Sequence, residues 1–319
     1  MSVLSDRHFH DEAAAYKFVE ARIWPNGPVC PHCGGFERIS KMEGKSTRIG
    51  AYKCYQCRKP FTVKIGTIFE ASHVKLNHWL QAIFLIASSK KGISSNQLHR
   101  TLGVTLKTAW FISHRIREAM RDGKLGPLGG NGMIVEADET YYGPTKEKRT
   151  MTTSGRPFTK SGKTGPSNKR AILGLVERGG NVRTFHVVQA TKVNVAALVT
   201  ENVHRESTLY TDESKLYHGM DDHFAGHETT KHTGGEYVRY VGDAVIHSNT
   251  IESYFSVFKR GMRGTYQHCA EKHLHRYLAE FDFRHNSRVA LGVNDEARAV
   301  RILDGVVGKR LTYETTSAR

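Results

Sequence analysis

Three acidic residues end or begin segments that can bring distant parts of the chain together. Asp138 closes the run Met133-Ile134-Val135-Glu136-Ala137, Asp212 closes Leu209-Tyr210-Thr211, and Glu252 opens a helical stretch after His247-Ser248-Asn249-Thr250-Ile251. A carboxylate at the edge of a core strand is costly unless a cation meets it, and a metal ion is the usual answer. Carboxylate oxygens suit magnesium or manganese. A pair of such ions can activate an attacking oxygen and stabilise a leaving one in phosphodiester cleavage. The expectation is that Asp138, Asp212 and Glu252 converge on Mg2+ or Mn2+. Glu136 and Glu139 flank Asp138 and are read as turned to the other face of its strand, in supporting roles. The segment after Glu252 supports a helix: Ile251, Tyr254, Phe255, Phe258 and Met262 form one apolar stripe. Glu252, Ser256, Lys259 and Arg263 form the neighbouring one, so Lys259 and Arg263 would hold phosphates beside the acids. No G-x-x-x-x-G-K-[ST] loop is present, so nothing indicates ATP use. His227, His232 and His247 are too scattered among 18 histidines to argue for a second metal site.

A second constellation is sulfur. Cys30-Pro31-His32-Cys33 and Cys54-Tyr55-Gln56-Cys57 form C-x2-C-x20-C-x2-C. Each pair makes a tight knuckle, and two knuckles supply the four thiolates of a tetrahedral, closed, structural Zn2+ site. Lys41, Lys45, Arg48, Lys53, Arg58, Lys59 and Lys64 decorate this ribbon and suit phosphate contact. The fifth cysteine, Cys269, reads as an ordinary small apolar residue.

Stepping outward, other segments must hold these groups in place. Residues 6–23 have helical periodicity with Ser5 as a cap, and Trp24-Pro25 stops them. Residues 73–121 read as three helices. Leu76, Trp79, Leu80, Ile83 and Ala87 form the first stripe, Ser94 caps the second helix, and Gly103-Val104-Thr105 turns the chain into the third. The third helix buries Ala109, Ile112 and Ile116 and leaves Lys107, His114, Arg115, Arg117 and Arg121 outward, a helix-turn-helix pattern. Gly123 to Gly132 reads as a linker, and Gly143 to Lys169 as an exposed basic loop carrying Lys146, Lys148, Arg149, Arg156, Lys160 and Lys163. A hairpin over 171–188 with a Gly179-Gly180 turn follows, then a helix over 193–204, the Asp212 strand, a loop over 220–244, and helices at 250–264, 271–285 and 294–308. The expected domains are an N-terminal helical arm (1–25), a zinc ribbon (26–70), a helix-turn-helix region (73–122), a ribonuclease-H-like α/β catalytic domain (131–290) and a C-terminal helix and tail (291–319). The fold class is therefore α+β multidomain. The net charge of +16 favours a polyanion partner, with nucleic acid first. No run of 18 apolar residues and no apolar N-terminal stretch occur, so a cytoplasmic protein with no membrane span is expected.

These features together resemble a known family. The four-cysteine ribbon, the helix-turn-helix, Val135-Glu136-Ala137-Asp138-Glu139-Thr140-Tyr141, Leu209-Tyr210-Thr211-Asp212 and Asn249-Thr250-Ile251-Glu252-Ser253-Tyr254-Phe255-Ser256-Val257-Phe258-Lys259-Arg260-Gly261 are similar to the IS1595-family (ISXO2-like) insertion-sequence transposases, from about Asp11 to Arg288. The resemblance implies a DDE-type transposase of a bacterial mobile element, acting on nucleoid DNA. It implies Asp138 and Asp212 as the first two metal ligands and Lys259 as the downstream lysine. At the third ligand the family varies, so Asn249 stays open beside the favoured Glu252. Double-stranded DNA, as terminal inverted repeats and as target, would be the partner, contacted by Lys107, Arg115, Arg117, Lys259, Arg260 and Arg263. A homo-oligomer on DNA is expected, because two ends must be joined. The rival readings are a non-catalytic DNA-binding regulator and a nuclease of the same fold without strand transfer.

Overall fold

Asp11, rather than Ser5, starts the first helix, α1 (Glu12–Ile23), because its side chain accepts the amide of Ala14 at 2.7 Å. The computed structural model describes residues 2–121, 123, 126–144 and 169–312. The chain divides into two units, Met1–Asp122 with Ser287–Arg319, and Gly123–Asn286. The basic positions Lys146, Lys148, Arg149, Arg156, Lys160 and Lys163 lie outside the described residues.

In the first unit, β1 (Ile39–Lys41), β2 (Tyr52–Cys54) and β3 (Pro60–Phe61) form a small antiparallel sheet between the cysteine pairs. Each knuckle is followed by a residue at positive φ, Gly34 at 73° and Arg58 at 61°. That left-handed step folds the chain back over the sulfurs. Cys30 and Cys57 Sγ are 3.6 Å apart, Cys33 and Cys54 Sγ 3.7 Å, and all four lie within 4.8 Å of one another. Four sulfurs at the usual zinc distance make a tetrahedron with edges of about 3.8 Å. The site therefore fits Zn2+ in both donor type and size. Trp24, Tyr52 and Phe61 pack beneath it with ring centroids 5.6–5.8 Å apart.

Helices α2 (Leu76–Ser88), α3 (Ser95–Leu102) and α4 (Leu106–Met120) follow. Ser94 accepts the Gln97 amide, Thr105 accepts the Thr108 amide, and Gly103 turns the chain at φ 65°. The expected apolar stripes are buried. The basic face of α4 is not where the sequence reading put it. His114, Arg115 and Arg117 are buried, while Lys107 and Arg121 are exposed. The Arg115 guanidinium donates to the carbonyls of Ile68 (2.6 Å), Glu70 (2.7 Å) and Leu311 (3.1 Å), and Arg117 donates to Ser113 Oγ. The polar side of α4 is covered by chain far away in sequence. Thr67 bridges Val307, and Lys309 reaches the Ala119 carbonyl at 3.1 Å. Arg115 and Arg117 are thus structural, and the exposed cation at the start of α4 is Lys107. The last helix, α8 (Asp295–Asp304), packs in the same unit, where Arg298 donates to the Ala87 carbonyl of α2.

The second unit is one mixed sheet with helices on both faces. β4 (Ile134–Pro144), β5 (Lys169–Glu177) and β6 (Val182–Val187) are antiparallel; β7 (Thr208–Asp212) and β8 (Gly226–Thr230) add in parallel, giving the order β6-β5-β4-β7-β8. This is a ribonuclease-H-like arrangement. α5 (Lys192–Asn202) packs on one face over Val135, Ala137, Leu175 and Leu209. α6 (Asn249–Gly261) and α7 (Leu274–Asn286) pack on the other over Ile172, Val176 and Val182. Two segments differ from the sequence reading. Residues 220–244 are not all loop: they hold β8 and most of a hairpin, β9 (Arg239–Val241) with β10 (Ala244–Ile246). β8 reads Gly-His-Glu-Thr-Thr, with no apolar alternation, so it is a strand only because β7 offers it a ladder. The glycine-rich "linker" is anchored too. Leu128 is buried and exchanges backbone hydrogen bonds with Asn202 and His204.

Metal analysis of the purified chain should find one zinc per chain. Cys54→Ser should lose it and leave the ribbon protease-sensitive, since a closed zinc site contributes its binding energy to folding.

Candidate active site

Strand register decides where the acids meet. β4 and β7 pair in parallel at 134/208, 135/209 and 136/210, a constant offset of 74. Asp138 and Asp212 differ by the same 74, so that register carried two residues on sets Asp212, at the end of β7, level with Asp138 in the middle of β4. Val135, Ala137 and Leu209 point to α5. By alternation Asp138 and Asp212 point to α6.

Glu136 is two residues from Asp138, so it shares that face. The expectation that it turns away was wrong, because only odd steps change face. Its carboxylate is fully buried. It accepts the Thr250 amide (2.8 Å), the Ile251 amide (3.1 Å), the Thr250 hydroxyl (2.8 Å) and Arg178 Nε (2.8 Å), and it lies 3.3 Å from His247 Nδ1. The first amides of a helix have no partner within it and carry partial positive charge. Ser248, the residue before α6, gives no side-chain cap. Glu136 supplies that cap from the sheet. Glu139, as expected, turns to the other side and meets Tyr217 Oη (2.8 Å) and Ser214 Oγ (3.1 Å), while Asp212 accepts the Ser214 amide at 3.0 Å.

Gly174 sets how close α6 can come. It faces Asp138 across the β4–β5 pair, and a Cβ there would lie 2.6 Å from Ile251 and 2.7 Å from Phe255. The helix therefore rests directly on the sheet backbone beside Asp138. Glu252, in its first turn, lines an open cleft of about 480 Å³ with Asp138, Glu139, Thr140, Phe255, Ser256, Lys259, Arg260 and Arg263. Asn249 is exposed and is not among the lining residues. Ser248 Oγ donates to Glu252 Oε1 at 3.2 Å, and His232 Nε2 lies 3.7 Å from the same oxygen. The three histidines weighed for a second metal site have separate neighbours: His227 meets Thr211, His232 meets Glu252, and His247 meets Glu136.

Residues 127–286 match the ISXO2-like transposase domain, and residues 10–60 match the transposase zinc-ribbon domain. The chain belongs to the ISXO2-like transposase family. A relative from Halobacterium salinarum, described as an uncharacterized protein in transposable element ISH50, is 29% identical over 283 residues, covering 86% of this chain and 91% of its own. Two solved structures, a Mos1 strand transfer complex and a Mos1 transposase paired-end complex with left transposon end, are each 13% identical with a TM-score of 0.27. They cover 70% of this chain and 72% and 73% of theirs, and at that score the likeness carries no argument.

The lining of the transposase cleft sets three carboxylates, Asp138, Glu139 and Glu252, beside three cations, Lys259, Arg260 and Arg263. Burial pushes the Asp138 carboxyl up to about 8, and Glu139, Asp212 and Glu252 add repulsion. Burial also raises Glu139, with Asp212 adding to it. Lys259 is lowered by burial, while Asp138 pulls the other way. Among the described residues, the cysteines are the group of three or more whose ligand atoms all lie within 4.8 Å. The carboxylates are spread wider. Hard oxygen donors in a partly dehydrated cleft fit divalent cations, and a wider spread suits two ions about 4 Å apart better than one. Sequence reasoning gave Glu136 a supporting role on the wrong face and missed Arg178, Gly174 and Ser214. Only the parity of Glu136 with Asp138 was there to be read.

Two outcomes follow for the metal-free protein. Glu136→Ala should lower unfolding free energy by roughly 3–5 kcal/mol, as loss of one partner from a buried charged pair does, measured by urea titration. Asp138 binds its proton more tightly folded than unfolded, so stability should fall as pH rises from about 4 to about 8. Asp138→Asn should flatten that slope in thermal melts, and an unchanged slope would assign it to another group.

Proposed function

We propose that the protein is a DDE transposase that binds the terminal inverted repeats of its element, cleaves a phosphodiester with water, and directs the freed 3′-hydroxyl onto target DNA. The observation that supports this reading is that Glu252 lines a cleft with Asp138 while the strand register carries Asp212, which is not itself a lining residue, alongside Asp138, in a chain that belongs to a transposase family. Asp138, Asp212 and Glu252 hold Mg2+ or Mn2+. Glu252 is preferred to Asn249 because it lines the cleft and carries charge. Divalent ions bound there supply Lewis acidity to the attacking and leaving oxygens of an in-line displacement. Lys259, Arg260 and Arg263 line the same cleft and bind the phosphates on either side of the reacting one. Ser248 orients Glu252, and Ser214 orients Asp212.

The ribbon and the helix-turn-helix read the repeat ends. Lys107 is exposed at the start of α4, the end of a recognition helix that reaches base edges. Two ends must be joined together, so the active form is a dimer or larger assembly on DNA.

The test is joining of labelled repeat ends to a plasmid by the full-length chain in magnesium. Asp138→Asn and Asp212→Asn should each reduce joining on the order of a thousandfold, several kcal/mol of transition-state stabilisation. Glu252→Ala should behave alike, and Asn249→Ala should retain joining. Binding without any metal-dependent cutting would mark a regulator, and cutting without joining a nuclease.

A further inference from the structure

The β9–β10 hairpin sits in the chain between the Asp212 strand and the Glu252 helix, and the acidic cleft gives it no task. Its turn is Gly242-Asp243, with Gly242 at φ 56°. Alternation divides its side chains. Ile246 is buried and Arg239 pairs with Glu228 at 2.6 Å, which fixes one face. Tyr240 and Val245 stand directly opposite each other on the other face, and Tyr240 is 74% exposed. Tyr237, just ahead of the hairpin, is 59% exposed.

Two contacts join this surface to the acids. Arg178 donates to the carbonyls of Val245 (2.7 Å) and His247 (3.0 Å) and to Glu136, so one guanidinium holds the hairpin, the start of α6 and the sheet together. The Tyr237 ring lies against the His232 ring, centroids 5.3 Å apart at 34°, and His232 borders Glu252. The Tyr237 ring therefore adjoins a histidine that borders Glu252, and Tyr240 lies three residues further along the chain. Cations and rings are segregated. Lys259, Arg260 and Arg263 line the cleft, whereas Tyr237, Tyr240 and Val245 present ring and aliphatic surface, and Arg239 beside them is already paired with Glu228. Cations suit a phosphate backbone, and open rings suit the faces of bases.

Resting on the reading above, we propose that Tyr237 and Tyr240 form a stacking platform for unpaired nucleobases beside the phosphodiester in the cleft. Stacking on rings tolerates any base, so the platform would hold a strand end without reading its sequence.

The test uses the full-length chain and a 15-nucleotide single strand with 2-aminopurine at its centre, with the matching duplex alongside. Wild-type protein should quench the single strand at least twofold. Tyr237→Ala with Tyr240→Ala should abolish the quench and reduce joining of repeat ends about tenfold, the scale of one lost stacking ring, with duplex binding unchanged. Tyr237→Phe with Tyr240→Phe should keep both. Equal quenching by wild type and the double alanine variant overturns the platform. So does a change of sedimentation in the alanine variant with the quench intact, which would make the rings a contact between copies. Ring-dependent quenching in a chain that joins nothing leaves the platform standing and removes the transposase reading.

Discussion

A buried carboxylate from the central strand caps a helix that lies on the sheet, and the acidic cleft takes its shape from that bond. Glu136 accepts two backbone amides and a hydroxyl at the start of α6 and a guanidinium from Arg178. All four partners donate, so an ionised carboxylate satisfies them at once, whereas an amide would set a donor against a donor. Because Glu136 and Asp138 are two residues apart on one strand, the bond that places the helix also places Glu252 relative to Asp138. The first acid and the third are thereby linked through only a few covalent and hydrogen bonds.

The sheet keeps its two faces chemically distinct. Toward α5 it carries an apolar cluster around Val135, Ala137, Leu175 and Leu209, and toward α6 it passes from Ile172 and Val176 to Glu136 and then Asp138. Glu136 has the Arg178 guanidinium against it, whereas Asp138 is buried near Glu139, Asp212 and Glu252, although both are carboxylates on the same face. Asp138 therefore resists ionisation while Glu136 anchors a helix. An acid held this way is poised for cations, and Lys259 is a basic group of the helix that feels its charge. The absence of a side chain at Gly174 lets these groups come close.

The first unit is held by different means. Its ribbon has a small apolar cluster under four sulfurs, too little to order forty residues without a metal. Its helices bury Arg115, Arg117 and Arg298. Arg115 satisfies three carbonyls in segments from residues 68 to 311, so it staples chain that is remote in sequence. A long side chain can bury its stem while its head replaces water at carbonyls.

Much of this was legible in the residues themselves. Cysteine spacing identified the ribbon, apolar periodicity located α2, α4 and α6, caps at Ser94 and Thr105 marked helix starts, and the motif around Glu252 placed the third acid and its lysine on one helix. These are local properties, because a knuckle, a cap or a stripe is specified within one or two turns. What tertiary structure decided was everything that depends on a partner far along the chain. β8 needed β7 to become a strand, Arg115 and Arg117 turned inward because the C-terminal segment covers α4, and Glu136 became a helix cap because α6 begins more than a hundred residues later. A charged side chain faces water or a buried carbonyl according to what packs over it, and local sequence carries no record of that.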